Sequence, residues 1–173
     1  SEPLREQEIS TRFGVSRGPI REVFRQLTQQ GLLVTEPNKG VRVASQPSEA
    51  IRPLIIDLRL RIEWFVLDSI FEKIGEEQIV AWEKILENIK MACERSDPGA
   101  LVEYDLNFHQ AILSAYGNDD IVTIWQPIVL RMLIDYHRLG DLMESYYEHK
   151  RILDAIKVGN KTAALAALQA NIK

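Results

Sequence analysis

The chain has 173 residues, of which 46% are hydrophobic and 27% are charged, and its formal net charge is −4. This ordinary globular composition supplies enough apolar residues for a core, in one domain or two small ones. No run approaches the ~18 to 20 apolar residues of a membrane span, and no signal pattern opens the chain. A single cysteine, Cys93, excludes an internal disulfide, so we expect a soluble protein of the reducing cytoplasm.

The charge is divided unevenly along the chain. Residues 1–45 hold seven Lys/Arg against five Asp/Glu, whereas the remainder holds 14 against 20. The acidity therefore belongs to the second part. Because contact with DNA depends on a local basic patch, the overall negative charge does not exclude a nucleic-acid binder.

The stretch from Gly14 to Gly31 predicts a helix that docks one side on a core. Its apolar residues recur at i, i+3, i+4 and i+7, namely Ile20, Val23, Phe24 and Leu27. Ser16 suits the N-cap, and Pro19 falls in the first turn, where its missing N–H matters least. A shorter helix, Leu4 to Phe13, precedes Gly14, so the two segments predict a helix-turn-helix.

The opposite side of the second helix carries Arg17, Arg21 and Arg25, each four residues apart. This spacing lines three guanidinium groups along one edge, an arrangement that suits phosphates and guanine edges. The alternative is an ordinary solvated helix face.

Two short β-prone runs follow, Leu33 to Glu36 and Val41 to Val43, on either side of the turn-rich P-N-K-G sequence. They predict a hairpin, which after a helix-turn-helix is a wing. Lys39 and Arg42 would then reach phosphate or a minor groove, and the alternative is a plain solvated turn.

The run L-R-E-Q-E-I-S-T-R-F-G-V-S-R-G-P-I-R-E, followed by G-V-R-V, resembles the winged helix-turn-helix of GntR-type bacterial transcription regulators over residues 3–43. The resemblance implies that the recognition helix opens in the major groove with Ser16, Arg17, Gly18 and Pro19. It implies that Arg17 and Arg21 read bases or grip phosphates and that Lys39 and Gly40 form the wing tip. Such domains begin with another helix, so we expect that N-terminal helix to be missing from residues 1–44.

After the wing, residues 45–48 are polar and contain a proline, which predicts a linker. Helical periodicity then runs through residues 49–173, with breaks at glycine, proline and capping residues. The segments predicted are 48–74, 76–94, 97–116, 119–139, 145–158 and 160–173. The fold expected is mainly α, with a winged helix-turn-helix followed by a six-helix antiparallel bundle.

Asp105 and His109 are the most informative polar residues of this second part. They lie four apart, so on a helix they share a face and both can coordinate one cation. The alternative is an intrahelical hydrogen bond at a helix surface. His149 is the next candidate, because the apolar residues that follow it indicate a buried side.

The segments Arg59 to Glu63, Asp105 to His109 and Glu148 to Ile156 resemble landmarks of the FCD effector domain of the FadR-type subfamily. The resemblance implies a divalent metal of the Zn, Ni or Mn type, held by Asp105, His109 and His149. Its fourth ligand position, a histidine in metal-binding members, falls on Asn171, a weaker ligand. Three outcomes stay open: a site completed by Asn171 or water, a metal bound only with ligand, or no metal.

The resemblance also implies a small organic acid as effector, because a cation with open positions and a nearby guanidinium attracts an anion. Arg59 matches a cavity-facing arginine, and Arg131 on an apolar helix could join it. For both, the alternative is an ion pair with Glu63, Asp57 or another acid. His137 is expected at the surface.

The leading interpretation is a ligand-responsive transcription regulator, in most such cases a repressor, acting as a homodimer on double-stranded DNA with a palindromic operator. A second hypothesis is a DNA-binding protein whose bundle only dimerises. A third is a metal-dependent hydrolase, although no His-Glu-x-x-His signature supplies a general base.

Overall fold

The computed structural model describes residues 3–37, 40–45, 47–133 and 141–173. Its described part contains two helices, a hairpin and six further helices in chain order, as the sequence predicts. The elements are α1 (Glu6–Phe13), α2 (Arg17–Gln29), β1 (Leu33–Glu36), β2 (Gly40–Val43), α3 (Arg52–Ile70), α4 (Glu76–Glu94), α5 (Pro98–Ser114), α6 (Asp119–Leu133), α7 (Met143–Lys157) and α8 (Lys161–Asn171).

The first helix is shorter than the sequence predicts, because its start is used by the wing. The N–H of Leu4 donates to the carbonyl of Val41 over 2.7 Å, so Leu4 extends the hairpin by one bridge and α1 begins at Glu6. Gly14 ends α1 with a φ of 65°, a left-handed conformation that favours glycine. This turn joins α1 to α2, and the three together form the helix-turn-helix.

A small core holds α1, α2 and the hairpin together. Ile20, Phe24 and Leu33 are buried, and a ring of partly buried residues packs around them, namely Leu4, Ile9, Leu27 and Val41. The expectation that Val23 joins this core is wrong, since its side chain is exposed. The buried face of α2 therefore contains fewer residues than the apolar sequence pattern indicates.

The hairpin pairs antiparallel with a register that joins Leu33 to Val43 and Glu36 to Gly40. Gly40 has a φ of 78°, so the glycine at the turn is required by the backbone. Lys39 lies outside the described residues.

The bundle begins later than predicted. α3 starts at Arg52, and Ser48 acts through its backbone carbonyl, which accepts from the N–H groups of Ile51 and Arg52. The helix ends at Ile70 and is followed by a 3₁₀ turn, Phe71–Lys73, so the predicted single helix to residue 74 is too long at both ends.

Capping residues mark two of the later helices as the sequence predicts. The side chain of Asp97 accepts from the N–H of Ala100 at the start of α5, and Asn160 accepts from Ala163 at the start of α8. α7 begins two residues earlier than the predicted segment 145–158, and Ser145 is fully buried inside it. α6 continues through Pro127, and the predicted extension to residue 139 lies outside the described residues.

The bundle core is built from apolar side chains of all six helices. α4 packs on α5 and α7, α3 packs on α5, α6 and α8, and α7 packs on α8. The largest fully buried side chains are Trp82, Trp125, Phe108, Leu67 and Ile89. Among the described helices, none is both long and apolar enough to cross a lipid bilayer.

Candidate metal centre and nucleic-acid interface

Three metal-ligating side chains meet inside the bundle. Asp105 and His109 come from successive turns of α5, and His149 comes from α7. One potential ligand atom of each lies within 4.8 Å of the others, and both imidazoles are fully or almost fully buried. The alternative interpretation places Asp105 and His109 at a helix surface. The structure places both residues in the interior instead.

The orientation of His149 is fixed by its own helix. Its Nδ1 lies 2.7 Å from the carbonyl oxygen of Ser145, and since a carbonyl only accepts, Nδ1 carries the hydrogen. In the neutral ring, Nε2 then presents a lone pair. Nε2 lies 3.2 Å from Oδ1 of Asp105, a carboxylate oxygen that also accepts, and has no hydrogen-bond partner within the described part of the chain.

His109 is oriented in the same sense by a carboxylate from α3. Its Nδ1 lies 2.6 Å from Oε2 of Glu63, and its Nε2 is buried with no hydrogen-bond partner among the residues described. A histidine that donates one ring N–H to a carboxylate or carbonyl is oriented to ligate a metal through the other nitrogen. The donor set of two imidazoles and a carboxylate thus fits a divalent cation of the Zn or Ni type.

Glu63 connects the cluster to three neighbouring groups. Its Oε1 accepts from Nε of Arg59 and from Nε1 of Trp125, each over 2.7 Å. Burial alone would raise the pKa of Glu63, but the charges and hydrogen bonds of Arg59 and His109 outweigh burial and lower that pKa to about 2. The carboxylate is therefore ionised and anchors both His109 and Arg59.

Arg59 lies beside the cluster as well as beside Glu63. Its Nη2 is 4.0 Å from Oδ2 of Asp105, and the side chain is buried. Burial would raise the pKa of Asp105, but His149, His109 and Arg59 hold it below its usual range. The ion pair with Glu63 that the sequence left as an alternative is present, and it places Arg59 where an anion at the cluster would meet a guanidinium.

The other residues assigned to this site lie differently. Arg131 is partly buried near the end of α6, and its Nη1 donates over 3.4 Å to the carbonyl of Gly31, just beyond α2. It therefore reaches the winged helix-turn-helix. Asn171 is the partly buried last residue of α8, and its role as a ligand stays a prediction. His137 lies outside the described residues.

The arginine edge of α2 faces solvent. The side chains of Arg17 and Arg21 are 58% and 68% exposed, and each contacts the carboxylate of Glu6 on α1. Arg25 pairs with Glu22 one turn away on its own helix. No guanidinium of this edge is buried against the bundle, so the edge is accessible to a polyanion.

The remaining predicted DNA-binding residues surround this edge. Ser16 occupies the N-cap of α2 as expected, although its side chain makes no capping hydrogen bond. Gly18 and Pro19 are exposed in the first turn, and Gly40 is exposed at the wing. A Cβ placed on Gly18 would have no neighbour within 4 Å, so the helix start is open to close approach.

Comparison with protein families identifies both parts of the chain. The model of the FCD domain matches residues 54–173, and that of the gntR family of bacterial regulatory proteins matches residues 1–43. The chain belongs to the GntR family and carries an FCD domain.

Relatives of this GntR-family chain are named as repressors. It is 30% identical to the HTH-type transcriptional repressor GlaR of Escherichia coli over 96% of this chain and 80% of that protein. It is 28% identical to the gluconate operon transcriptional repressor of Bacillus licheniformis over 97% of this chain and 72% of that protein. The structure of E. coli McbR/YncC superposes with a TM-score of 0.82 and 18% identity, covering 99% of this chain and 84% of that one, which shows the shared fold.

The GntR-family chain is therefore a DNA-binding transcription regulator and not an enzyme, and the hydrolase hypothesis is set aside. The fold expected from the sequence is confirmed by the structure and by this likeness. The metal, the effector and the dimer belong to the proposal below.

Sequence reasoning missed two residues that organise the cluster. The sequence indicates Glu63 only as an ion-pair partner and gives no indication of Trp125. The signal for Glu63 is a carboxylate among apolar residues of α3, four residues after Arg59, because a buried acid requires partners. The contact from Trp125 carries no local signal, since it joins residues 62 positions apart.

Proposed function

We propose that this chain is a ligand-responsive repressor of the cytoplasm, which binds a palindromic operator as a homodimer and senses a small carboxylate beside a divalent metal in its FCD domain. The observation that carries the sensing part is the buried cluster of Asp105, His109 and His149, in which neither Nε2 has a hydrogen-bond partner within the described part of the chain and Nε2 of His149 lies 3.2 Å from Oδ1 of Asp105. When His149 is neutral, its Nε2 and Oδ1 of Asp105 are two facing acceptors that repel one another, and a cation between them removes that repulsion.

The residues that would hold the metal are Asp105, His109 and His149, with Asn171 or water completing the set. When bound, the metal supplies positive charge for an anionic ligand. Arg59 supplies a second positive group, with Nη2 4.0 Å from Oδ2 of Asp105, and Glu63 keeps that guanidinium and His109 in place.

A carboxylate effector is also consistent with one of the relatives. That relative is named for the gluconate operon, and gluconate is a small hydroxy acid. Its carboxylate would meet Arg59 and the metal together, which favours acids over neutral sugars at this site.

The DNA contacts proposed are those of the exposed edge of α2 and the wing. Arg17 and Arg21 would read bases or phosphates, the first turn with Ser16, Gly18 and Pro19 would approach the backbone, and Lys39 with Gly40 would form the wing tip. Two copies are required for recognition helices about 34 Å apart on a palindrome. Exposed large apolar side chains on α3 support the dimer, namely Leu54, Leu58 and Phe65.

The response would pass along α6. Trp125 of this helix donates to Glu63, which orients His109, and Arg131 of the same helix donates to the Gly31 carbonyl at the end of the recognition helix. A shift of α6 at the cluster would therefore move its contact with the DNA-reading part.

The test of the DNA assignment uses a duplex selected from a random-sequence library by the unmodified protein. Arg17→Ala and Arg21→Ala are each expected to weaken retention of that duplex by about 10- to 100-fold, because each removes a base or phosphate contact. Arg61→Ala, which removes an exposed arginine of the bundle, serves as the control. Normal retention by both α2 variants would overturn the assignment of these arginines.

The same retention assay tests the effector. Zn²⁺ and a panel of organic acids that includes gluconate are added to the complex, with chelator as the reference. At least one acid is expected to change retention in a saturable way, and the change should be lost on chelation. If every acid left retention unchanged, the effector proposal would be wrong, as expected for a bundle that only dimerises.

A further inference from the structure

One carboxylate on α1 holds two arginines of the recognition helix. Nε and Nη2 of Arg21 donate to Oε1 and Oε2 of Glu6, both over 3.0 Å, and Nη2 of Arg17 donates to Oε2 over 3.4 Å. The partners are 11 and 15 residues apart in the chain, so Glu6 joins the two helices.

The other acids near this surface have different partners. Glu22 pairs with Arg25 one turn away on α2 itself, and Glu8 of α1 pairs with Arg5, which directly precedes that helix. Glu6 instead pairs with Arg17 and Arg21, the arginines to which the family resemblance assigns DNA contact. The side chain of Glu6 is 26% exposed, so its carboxylate lies at the surface proposed to contact DNA.

The geometry of this contact matters for DNA. The parallel two-bond fork between Arg21 and Glu6 is the one a guanidinium makes with a phosphate or with O6 and N7 of guanine. Glu6 therefore occupies donors that DNA would use. The pKa of Glu6 is lowered by its hydrogen bond from Arg21, so the competing group is charged.

We propose that Glu6 is a specificity-determining residue, which holds Arg21 and Arg17 in a fixed orientation and weakens binding to non-specific DNA more than binding to the operator. The inference rests on the proposed contacts of these arginines with DNA. Non-specific binding depends on neutralising phosphates. The carboxylate of Glu6 neutralises the arginines and repels phosphates. It therefore weakens non-specific binding directly.

The affinity for the operator falls less, because base readout depends on the direction of hydrogen bonds as well as on charge. With Nε and one Nη2 hydrogen occupied, Arg21 retains other N–H groups on its outer edge, and the fork with Glu6 limits the rotamers that they sample. An arginine held in this way approaches a base edge with less conformational entropy to lose. The carboxylate thus separates the two modes of binding.

The experiment compares Glu6→Gln with Glu8→Gln. Both variants remove one negative charge from α1 and keep side-chain size, but only the first loses the contact with Arg21 and Arg17. Affinity is measured by fluorescence anisotropy for the library-selected duplex and for a scrambled duplex of equal length, over a series of salt concentrations. Thermal unfolding of each variant checks the fold.

Glu6→Gln is expected to raise affinity for the scrambled duplex on the order of tenfold and for the selected duplex by less than about threefold, so that the specificity ratio falls. Glu8→Gln should shift both affinities equally. If the two variants changed the ratio alike, Glu6 would act only through net charge and the inference would fail. A lower affinity of Glu6→Gln for both duplexes, with normal unfolding, would also overturn it.

Arg21→Ala separates this inference from the proposed function. If Arg21→Ala binds both duplexes normally, the assignment of DNA contacts is wrong, and the role of Glu6 is wrong with it. If Arg21→Ala weakens binding while Glu6→Gln leaves the ratio unchanged, only the role of Glu6 is wrong.

Discussion

Glu63 is not one of the proposed metal ligands, yet it orients the residues around them. It accepts from Arg59, Trp125 and His109, which belong to three different helices. Its charge fixes the hydrogen on Nδ1 of His109, and this leaves Nε2 available on the cluster side. The metal affinity of the cluster should therefore depend on an acid that is not a ligand.

We predict that Glu63→Gln lowers Zn²⁺ affinity by about 10- to 100-fold, because the amide is a poorer acceptor and also offers a hydrogen to His109. Affinity is measured by competition with a chromophoric chelator. Asp57→Asn, which changes an exposed acid of the same helix, is the control and should bind Zn²⁺ normally. Equal affinities of the two variants would show that Glu63 does not orient His109, and no Zn²⁺ binding by the unmodified protein would remove the metal from the proposal.

At this scale the sequence predicted the convergence of Asp105, His109 and His149 but not what holds them. Asp105 and His109 are linked by helical spacing, which local sequence reveals, and His149 by a family resemblance. Arg131 shows the limit, since an apolar helix context suggested the cavity whereas the side chain contacts Gly31. The direction of a long side chain depends on tertiary neighbours, which spacing does not encode.

Helix ends were predicted well where a side chain performs the capping. Asp97 and Asn160 accept N–H groups three residues on, and α5 and α8 begin where these residues indicate. Ser48 and Ser145 are also of a residue type that favours N-caps. Ser48 nevertheless acts through its backbone carbonyl, and Ser145 is buried in a helix. At these two serines, burial and backbone contacts override the capping preference of the residue type.

We predict that Asp97→Ala lowers the free energy of unfolding by about 1 kcal/mol, because it leaves the N–H of Ala100 without its acceptor. Urea unfolding followed by circular dichroism measures the change. Asp97→Asn keeps the acceptor and should retain most of the stability. Ser16→Ala should cost less than half as much as Asp97→Ala, since the Ser16 side chain makes no capping bond, and a larger cost for Ser16→Ala would contradict this account.

Across the whole molecule, a winged helix-turn-helix and an acidic helical bundle share one chain, and α6 contacts Gly31 of the first part and Glu63 of the second. Trp125 lies at the cluster end, and Arg131 lies six residues further along, about 9 Å at the rise of an α-helix. The contact with Gly31 falls where the chain leaves α2 with a φ of 74°. A hydrogen bond at this bend constrains the recognition helix relative to the bundle.

We predict that Arg131→Ala uncouples metal binding from DNA binding. The variant should bind Zn²⁺ and the library-selected duplex within about threefold of the unmodified protein, because Arg131 belongs to neither contact set. It should lose most of the change in DNA affinity that Zn²⁺ causes in the unmodified protein, typically 5- to 150-fold for coupled sites. Arg151→Ala, an exposed arginine of α7, should retain the full change.

Reciprocity gives this prediction a second measurement. If Zn²⁺ changes DNA affinity by a given factor, the duplex must change Zn²⁺ affinity by the same factor. Competition titrations of Zn²⁺ with and without the selected duplex should therefore give one coupling factor for the unmodified protein and a factor near one for Arg131→Ala. An undiminished factor in the variant would show that α6 does not transmit the response through Gly31, because the two sites would remain linked after that contact was removed.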